Sequence, residues 1–211
     1  MVGGFLMKKI LNRRKIIVET AIHFGFSSYL EIGLRDANSV FNHVPCKVKY
    51  SVDIDPKAKP CYCGSSDSFF AQEKIKDVKW DLIFIDGWHM ADFVYRDLMN
   101  SVDHLNENGV IFLHDVLPTK YEYTLEDKVD CQTAWKVVPY VLKHHRELRI
   151  CTIADGNAGL GVAVKGERNS SDILDHRFNK FYDFAFMNTF RKISQNTIEY
   201  NQLFDWIKNG N

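Results

Sequence analysis

The sequence predicts an α/β fold: a doubly wound, mostly parallel sheet that ends in an antiparallel hairpin and carries N-terminal and C-terminal helices. Three observations predict it. Short, continuously apolar runs recur along the chain, among them YLEI, DLIFI and VIFL, and such runs belong to strands covered on both faces. Between them lie segments long enough for crossover helices. Four of the runs stop at an acid, at Glu31, Asp53, Asp86 and Asp115. Open α/β sheets bind ligands beyond the carboxyl ends of their strands, so four acids at four strand ends single out one edge.

The elements follow in order. Residues 5–25 carry Ile10, Ile17, Ala21 and Phe24 at helical spacing and stop at Gly25. Strand one is Tyr29–Ile32. A helix is expected over 36–43, ended by Pro45, and strand two over Val48–Val52. Pro56 and Pro60 bracket a turn, with a short strand near Cys61–Cys63. Ser65 to Lys74 reads as a helix capped by Ser65 or Ser66. Asp81–Ile85 is a buried strand, and Ala91–Leu105 is an amphipathic helix with Phe93, Val94, Leu98, Val102 and Leu105 on one face. Asn108-Gly109 reads as a turn before the strand Val110–Leu113. Residues 117–130 are polar and aperiodic, a long loop of the kind that tends to be functional. Helix returns over Thr133–His145. Leu148–Ala154 and Leu160–Val164 flank a hairpin turn at Asp155 to Gly159. Residues 171–209 are helical by pattern and rich in aromatics, Phe178, Phe181, Tyr182, Phe184, Phe186 and Phe190 among them.

A length of 211 residues with 45% hydrophobic residues supports a single domain: an N-terminal helix over 1–27, a core over 28–166 and a helical extension over 167–211. Lys plus Arg equals Asp plus Glu, 27 each, so net charge gives no reason to expect nucleic acid or an anionic membrane as partner. No run reaches the ~18 apolar residues of a membrane span, and the start lacks the features of a signal peptide. Five cysteines, an odd number in a chain of this size, read as reduced thiols of a cytoplasmic protein. Cys61 and Cys63 form a C-x-C, which alone is a weak metal signal.

Glu31 and Asp53 stand 22 positions apart, the spacing of a nucleoside-binding βαβ unit in which the acid after the second strand accepts hydrogen bonds from ribose hydroxyls. The G-x-G-x-x-G loop that closes on a pyrophosphate is missing: Gly33 stands alone, followed by Leu34 and Arg35, with Ala37 near the third position. The pocket is therefore suited to a nucleoside without a diphosphate, and S-adenosylmethionine fits that description. A nicotinamide-dependent enzyme on a similar sheet is the competing reading, and the lone Gly33 argues against it. A non-catalytic cofactor-binding subunit is another.

The segments YLEIGLRDANSVF, YSVDIDP, SSDSFF, WDLIFIDGWHMADFVYRDLMNSVDHLNENGVIFLHDVLP, TAWKVV and GLGVAV together resemble the class I S-adenosylmethionine-dependent methyltransferases. The chain is most similar to the small bacterial branch found with glycan-biosynthesis genes (methyltransferase family 24-like). The resemblance covers about 27–166, and its most specific part is the IDG-x-H segment joined to HD-V-x-P. It departs from the family where Ala37 replaces a common Gly.

The resemblance implies a Rossmann-like core and roles for named residues. Glu31 and Gly33 form the first cofactor loop, Gly33 admitting the backbone to the methionine part and Glu31 organising its ammonium group. Asp53 holds the ribose, with Asp55 as the alternative, and Ser66 and Asp67 lie near the adenine. Asp86 sits beside the transferable methyl. In related O-methyltransferases a carboxylate here binds Mg²⁺, and Asp115 is the expected partner, with Mg²⁺ or Mn²⁺ the implied ion. His89 and His114 are candidate bases, as histidine titrates near neutrality; His114 in a ligand position would break the all-oxygen pattern and tilt the site toward Mn²⁺ or Zn²⁺. Each of these residues has a plainer explanation as a cap, turn or strand-end charge. Trp88 and Trp135 are candidates for an acceptor pocket, with Trp135 better explained as core. His144 and His145 read as a solvated helix end. The expected reaction is O-methylation of a sugar, glycan intermediate or other small molecule, and the C-terminal aromatics suit a helix packed on the core or a homodimer contact through the C-terminal helices.

Overall fold

The computed structural model describes residues 12–128, 130–154, 158–167 and 182–209. The expected hairpin-turn residues 155–157, the aromatic positions Phe178 and Phe181, and positions 5–11 of the expected N-terminal helix lie outside them. Seven strands form one sheet in the order β3-β2-β1-β4-β5-β7-β6. The strands β1 (Ser28–Ile32), β2 (Val48–Asp53), β3 (Tyr62–Cys63), β4 (Trp80–Ile85) and β5 (Leu105–His114) pair in parallel. The last two, β6 (Leu148–Ile153) and β7 (Leu160–Lys165), form the antiparallel end, with β7 set against β5. This is the doubly wound, Rossmann-like sheet that the apolar runs predict.

Alternation along the strands separates two cores. Leu30, Ile32, Ile83, Ile85, Ile111 and Leu113 face α3 (Ala91–Asp103) and α4 (Val137–His144), packing on Leu98, Val138 and Val141. Tyr29, Leu82, Phe84, Val110 and Phe112 face the other way, onto Ile16 and Ile17 of α1 (Arg13–Phe24) and onto Leu203 and Trp206 of the C-terminal helix. Each large apolar side chain so buried contributes about 1.5–3 kcal/mol. Glu31 and His114 share the parity of Tyr29 and Phe112, so both project to the α1 side. The first helix is positioned by its ends. The Asn12 side chain accepts from Lys15 N at 3.0 Å, and Gly25, at φ 65°, turns the chain and donates to Ala21 and Ile22.

The structure corrects several sequence expectations. Residues 36–43 form no α-helix; they make successive turns ending in a 3₁₀ turn, Phe41–His43. The Asp36 carboxylate accepts from Asn38 N at 3.0 Å, and Asn42 Nδ2 donates to Asn38 at 2.9 Å. Short polar side chains bonding their own neighbourhood compete with helix. The helix α2 (Ser66–Phe70) is shorter than expected, capped by Ser65 rather than Ser66, and ends where Gln72 Nε2 takes the Phe69 carbonyl. Asn108-Gly109 is not a turn but lies inside β5, where pairing with β4 shifts register. A Cβ at Gly109 would stand 2.7 Å from Leu105 and 2.9 Å from the Asp81 carbonyl. The stretch 133–145 opens with a 3₁₀ turn, Ala134–Lys136, before α4. The described part of the C-terminal region is broken into α5 (Phe184–Thr189), α6 (Arg191–Ser194), a 3₁₀ turn and α7 (Leu203–Asn209). No helix among the described residues is long and apolar enough to cross a membrane.

One side chain ties three strand starts together. Asp81 Oδ2 accepts from Ser27 N at 2.8 Å, Ser27 Oγ at 2.9 Å and Ser28 N at 3.0 Å, while Oδ1 accepts from Asn106 Nδ2 at 2.6 Å. Burial raises the Asp81 pKa, but these four bonds outweigh it and hold the carboxyl below its usual range. Asp81→Ala should therefore cost about 2–3 kcal/mol at neutral pH, read as a drop in the urea midpoint. A loss below about 0.5 kcal/mol would show that the clamp carries no weight.

Candidate functional site

The parallel register brings the predicted acids to one rim. Ile32 pairs with Val52 on one side and Ile85 on the other, and Ile85 pairs with Leu113. Glu31, Asp53, Asp86 and Asp115 therefore lie at neighbouring strand ends. The loops after β1 and β4 touch there: Gly33, at φ 88°, is so close to the end of β4 that a Cβ would stand 2.2 Å from the Asp86 carbonyl oxygen. The neighbouring backbone by itself requires glycine at this position.

The residues expected to hold a nucleoside line one end of the rim. Asp53 is fixed by two backbone donors, Arg35 N to Oδ2 and Asp55 N to Oδ1, each at 2.8 Å. Arg35 reaches it through a left-handed conformation, φ 44°. A carboxylate has about four acceptor positions, so two remain for ribose hydroxyls. Ile54, passed over in the sequence, is 66% exposed beside it and offers an apolar face. Asp67, exposed, pairs with Arg96 of α3 at 3.5 Å. Ser66 bonds Asp97, a buried acid on the inner face of α3. Burial and the nearby Asp67 push Asp97 up to about 6 against the opposing Ser66 bond and Arg96. Asp97 was also missed, although its place three residues after Val94 on the apolar face of α3 was a readable signal.

Glu31 is 2% exposed and accepts from the Tyr29 hydroxyl at 2.5 Å. Burial, joined by the charge of Asp86, pushes it up to about 8, while the Tyr29 bond, Arg13 and Lys49 act the other way. It sits within the rim rather than on its surface.

Next to it stands a tight group of four. Asp86, His89, His114 and Asp115 each offer one ligand atom, all within 4.8 Å of one another. His114 Nδ1 lies 3.0 Å from Asp86 Oδ1 and 3.1 Å from Asp115 Oδ2. His89 Nδ1 lies 3.2 Å from Asp115 Oδ2 and its Nε2 3.5 Å from Asp86 Oδ1. Burial pushes Asp86 upward, but His114, His89 and Arg13 outweigh it and hold the carboxyl far below its usual range. Burial lowers both imidazoles, and the carboxylates reverse this, taking His114 up to about 9 and raising His89. Two carboxylates and two imidazoles, mutually within reach and turned to one point, form a donor set that suits a divalent cation.

The sequence did not reveal Arg13. From the first turn of α1 its Nη1 lies 3.1 Å from His114 Nε2, and its Nη2 donates to Ser39 Oγ at 3.1 Å and lies 3.7 Å from Asp86 Oδ2. A guanidinium only donates, so Arg13 opposes the carboxylates in protonating His114. The loop 117–130 is fastened to the same group. The Asp130 carbonyl meets His89 Nδ1, Thr133 N donates to the His89 carbonyl at 3.2 Å, and Thr133 Oγ1 caps α3 by accepting from Ala91 N at 2.8 Å. Trp88 is 59% exposed beside His89, its ring 6.2 Å from Phe93, whereas Trp135 is buried in the core. All five cysteines are free, Cys61 and Cys63 exposed, and among the described residues no metal-ligating group includes either.

With this geometry described, comparison with known proteins is informative. Residues 36–116, spanning Asp53 to Asp115, match the model of a family described as a methyltransferase domain. Comparison with curated proteins gives no match. Among solved structures, cofactor-bound Rv0187 from MTB is 16% identical with a TM-score of 0.57, over 75% of this chain and 84% of that one. The O-methyltransferase TomG from Streptomyces achromogenes, involved in tomaymycin synthesis and solved with SAM, is 12% identical with a TM-score of 0.55, over 72% and 79%. An O-methyltransferase from Bacillus cereus in complex with SAH is 14% identical with a TM-score of 0.53, over 73% and 80%. These likenesses establish a shared Rossmann-like fold.

The burial of Glu31 has a measurable consequence. Its folded form keeps a proton up to about 8, whereas its reference value is 4.5. The folded state binds the extra proton between those values, so the Glu31 contribution to stability is complete below 4.5 and declines as pH rises towards 8, at up to about 1.4 kcal/mol per unit. Glu31→Gln should flatten the fall in urea midpoint between pH 5 and 8. An unchanged slope would show that Glu31 ionises freely in the folded protein.

Proposed function

We propose that the chain is an S-adenosylmethionine-dependent methyltransferase that methylates a hydroxyl of a small molecule, with a sugar or glycan intermediate the favoured acceptor and a divalent cation, Mg²⁺ or Mn²⁺, assisting. The observation that carries this reading is the Asp86–His89–His114–Asp115 group standing on the same rim as Asp53, in a stretch that matches a methyltransferase domain. The solved O-methyltransferases that share the fold support the oxygen acceptor, and exposed Trp88 beside the group suits an acceptor ring. The domain division belongs to the same proposal: 28–166 is the catalytic core, flanked by an N-terminal segment over 1–27, which includes α1 (Arg13–Phe24), and an extension over 167–211.

In this reading Asp53 takes both ribose hydroxyls with its remaining acceptor positions, oriented by Arg35 N and Asp55 N. Ile54 provides apolar contact, and Ser66 and Asp67 border the adenine. Gly33 keeps the methionine end close to Asp86. Glu31, bonded to Tyr29, shapes the floor below. Asp86, Asp115 and an imidazole would hold the cation, which supplies Lewis acidity that lowers the pKa of the acceptor hydroxyl. The group takes up the hydroxyl proton as the new O–C bond forms and the S–C bond breaks, leaving S-adenosylhomocysteine. Holding the acceptor oxygen about 3 Å from the methyl carbon is the main task of the surrounding chain.

Calorimetry with S-adenosylhomocysteine tests the cofactor half: binding is expected, and no heat at about 1 mM ligand would overturn it. Asp53→Ala should weaken that binding about tenfold or more, the loss of a well-made charged hydrogen bond. Asp86→Ala and Asp115→Ala should leave it within about threefold yet lower methyl transfer, followed with labelled S-adenosylmethionine across a panel of sugars and phenols, by about 100-fold or more. Full turnover in both variants would displace the chemistry from this group.

A further inference from the structure

We infer that Arg13 and Ser39 form a subsite for the methionine carboxylate of S-adenosylmethionine, with Arg13 as its cation and the Ser39 hydroxyl as a second donor. This rests on the cofactor half of the reading above and names what holds the one anionic group of that molecule. Along the rim, Glu31, Asp53, Asp86 and Asp115 lie at neighbouring strand ends. Such an edge suits a sulfonium and an ammonium group. It repels a carboxylate, which is stable in a partly enclosed acidic site only beside a cation.

Arg13 meets that requirement. It opens α1, so the positive end of the helix stands at the rim with it. Its side chain keeps 28% exposure, and its contacts leave donors over. A guanidinium carries five N–H hydrogens. Nη2 gives one to Ser39 Oγ at 3.1 Å, and Nη1 lies 3.1 Å from His114 Nε2. Asp86 Oδ2, at 3.7 Å, is beyond hydrogen-bond length. Each Nη therefore keeps a hydrogen. Ser39 Oγ accepts from Arg13, and its own hydrogen has no acceptor among the described residues. Donors from two separate elements thus stand 3.1 Å apart, an arrangement that the two oxygens of one carboxylate can bridge. Both stand where the methionine end is expected: Ser39 closes the turns that begin after Gly33, and Gly33 abuts Asp86.

Other cations near the rim are placed for different work. Lys49 Nζ donates to the Phe41 carbonyl at 2.9 Å. Arg96 pairs with Asp67 at 3.5 Å, at the adenine end. Arg35 gives its backbone N–H to Asp53 at 2.8 Å, and its side chain is exposed. Arg35 belongs to the same loop as Ser39, which makes it the one competitor of Arg13 for this role.

Calorimetry on the full chain with two ligands tests this: S-adenosylmethionine and its decarboxylated form, which differ by the carboxylate alone. The wild type should bind S-adenosylmethionine about tenfold or more tighter. Arg13→Met should weaken S-adenosylmethionine by about that factor and the decarboxylated form by no more than about threefold, so that the preference disappears. Arg13→Lys, which keeps the charge without the fork, should retain part of it. Ser39→Ala should reduce the preference about threefold, and it decides the matter if neither Arg13 variant folds. A structural role alone would weaken both ligands alike, and that result overturns the inference. So does a preference undiminished in Arg13→Met, or one lost in Arg35→Met instead. If the wild type binds both ligands equally, the carboxylate stays in solvent and the subsite is refuted while the cofactor reading stands. If it binds neither, nor S-adenosylhomocysteine, the proposed function fails and the subsite with it.

Discussion

The rim depends on one close approach. The loops that leave β1 and β4 pass so near each other that Gly33 can carry no side chain without meeting the Asp86 carbonyl, and the end of β1 is bonded to both neighbours, Gly33 N donating to the Val52 carbonyl of β2 and Asp86 N, just past β4, donating to the Ile32 carbonyl of β1, each at 2.8 Å. This contact sets the height of Asp86 relative to Glu31 and Asp53. It also explains why a lone glycine suffices where a pyrophosphate-binding loop would need three. Here glycine meets a demand of the protein backbone first, and a bound ligand inherits the space.

Charge at the rim is organised by sheet parity. Glu31 and His114 point to the side covered by α1, and the guanidinium of that helix meets His114 and Asp86. Buried like charges would be costly if left uncompensated. The structure reduces that cost in two ways: Glu31 retains its proton under burial, and Asp86 is ionised against two imidazoles and an arginine. Neighbouring carboxyls at one edge thus differ in state because one is enclosed by apolar strands and a phenol while the other faces cations, the same environmental logic that separates paired acids in enzymes.

Much of this was legible in the chain. Strands covered on both faces leave continuous apolar runs, and their ends fall at the acids, so Asp53, Asp86, His89, His114 and Asp115 were identifiable from YSVD, IDGWH and LHD. Helices were read less well. Over 36–43 the polar side chains of Asp36, Asn38 and Asn42 bond locally, and apolar spacing does not register that competition. Asn108-Gly109 carries a turn signature but is held in a strand by its neighbours, a tertiary override of local preference. Arg13 was invisible because its partner His114 is 101 positions away, and a basic residue in a basic stretch reads as surface. Asp97 could have been found, since an acid on the apolar stripe of α3 breaks its pattern.

The loop between the fifth strand and the fourth helix is pinned at both ends. Leu117 N reaches the Ala158 carbonyl and Arg191 holds the Pro118 carbonyl at the start, while Asp130 and Thr133 meet His89 at the finish. Between those anchorages it folds back on itself, Gln132 N donating to the Tyr123 carbonyl at 2.8 Å and Gln132 Nε2 to the Glu126 and Lys128 carbonyls at 2.9 and 2.7 Å. Any rebuilding of this span must therefore return a main-chain oxygen to the same imidazole, or His89 loses the carbonyl that orients its ring.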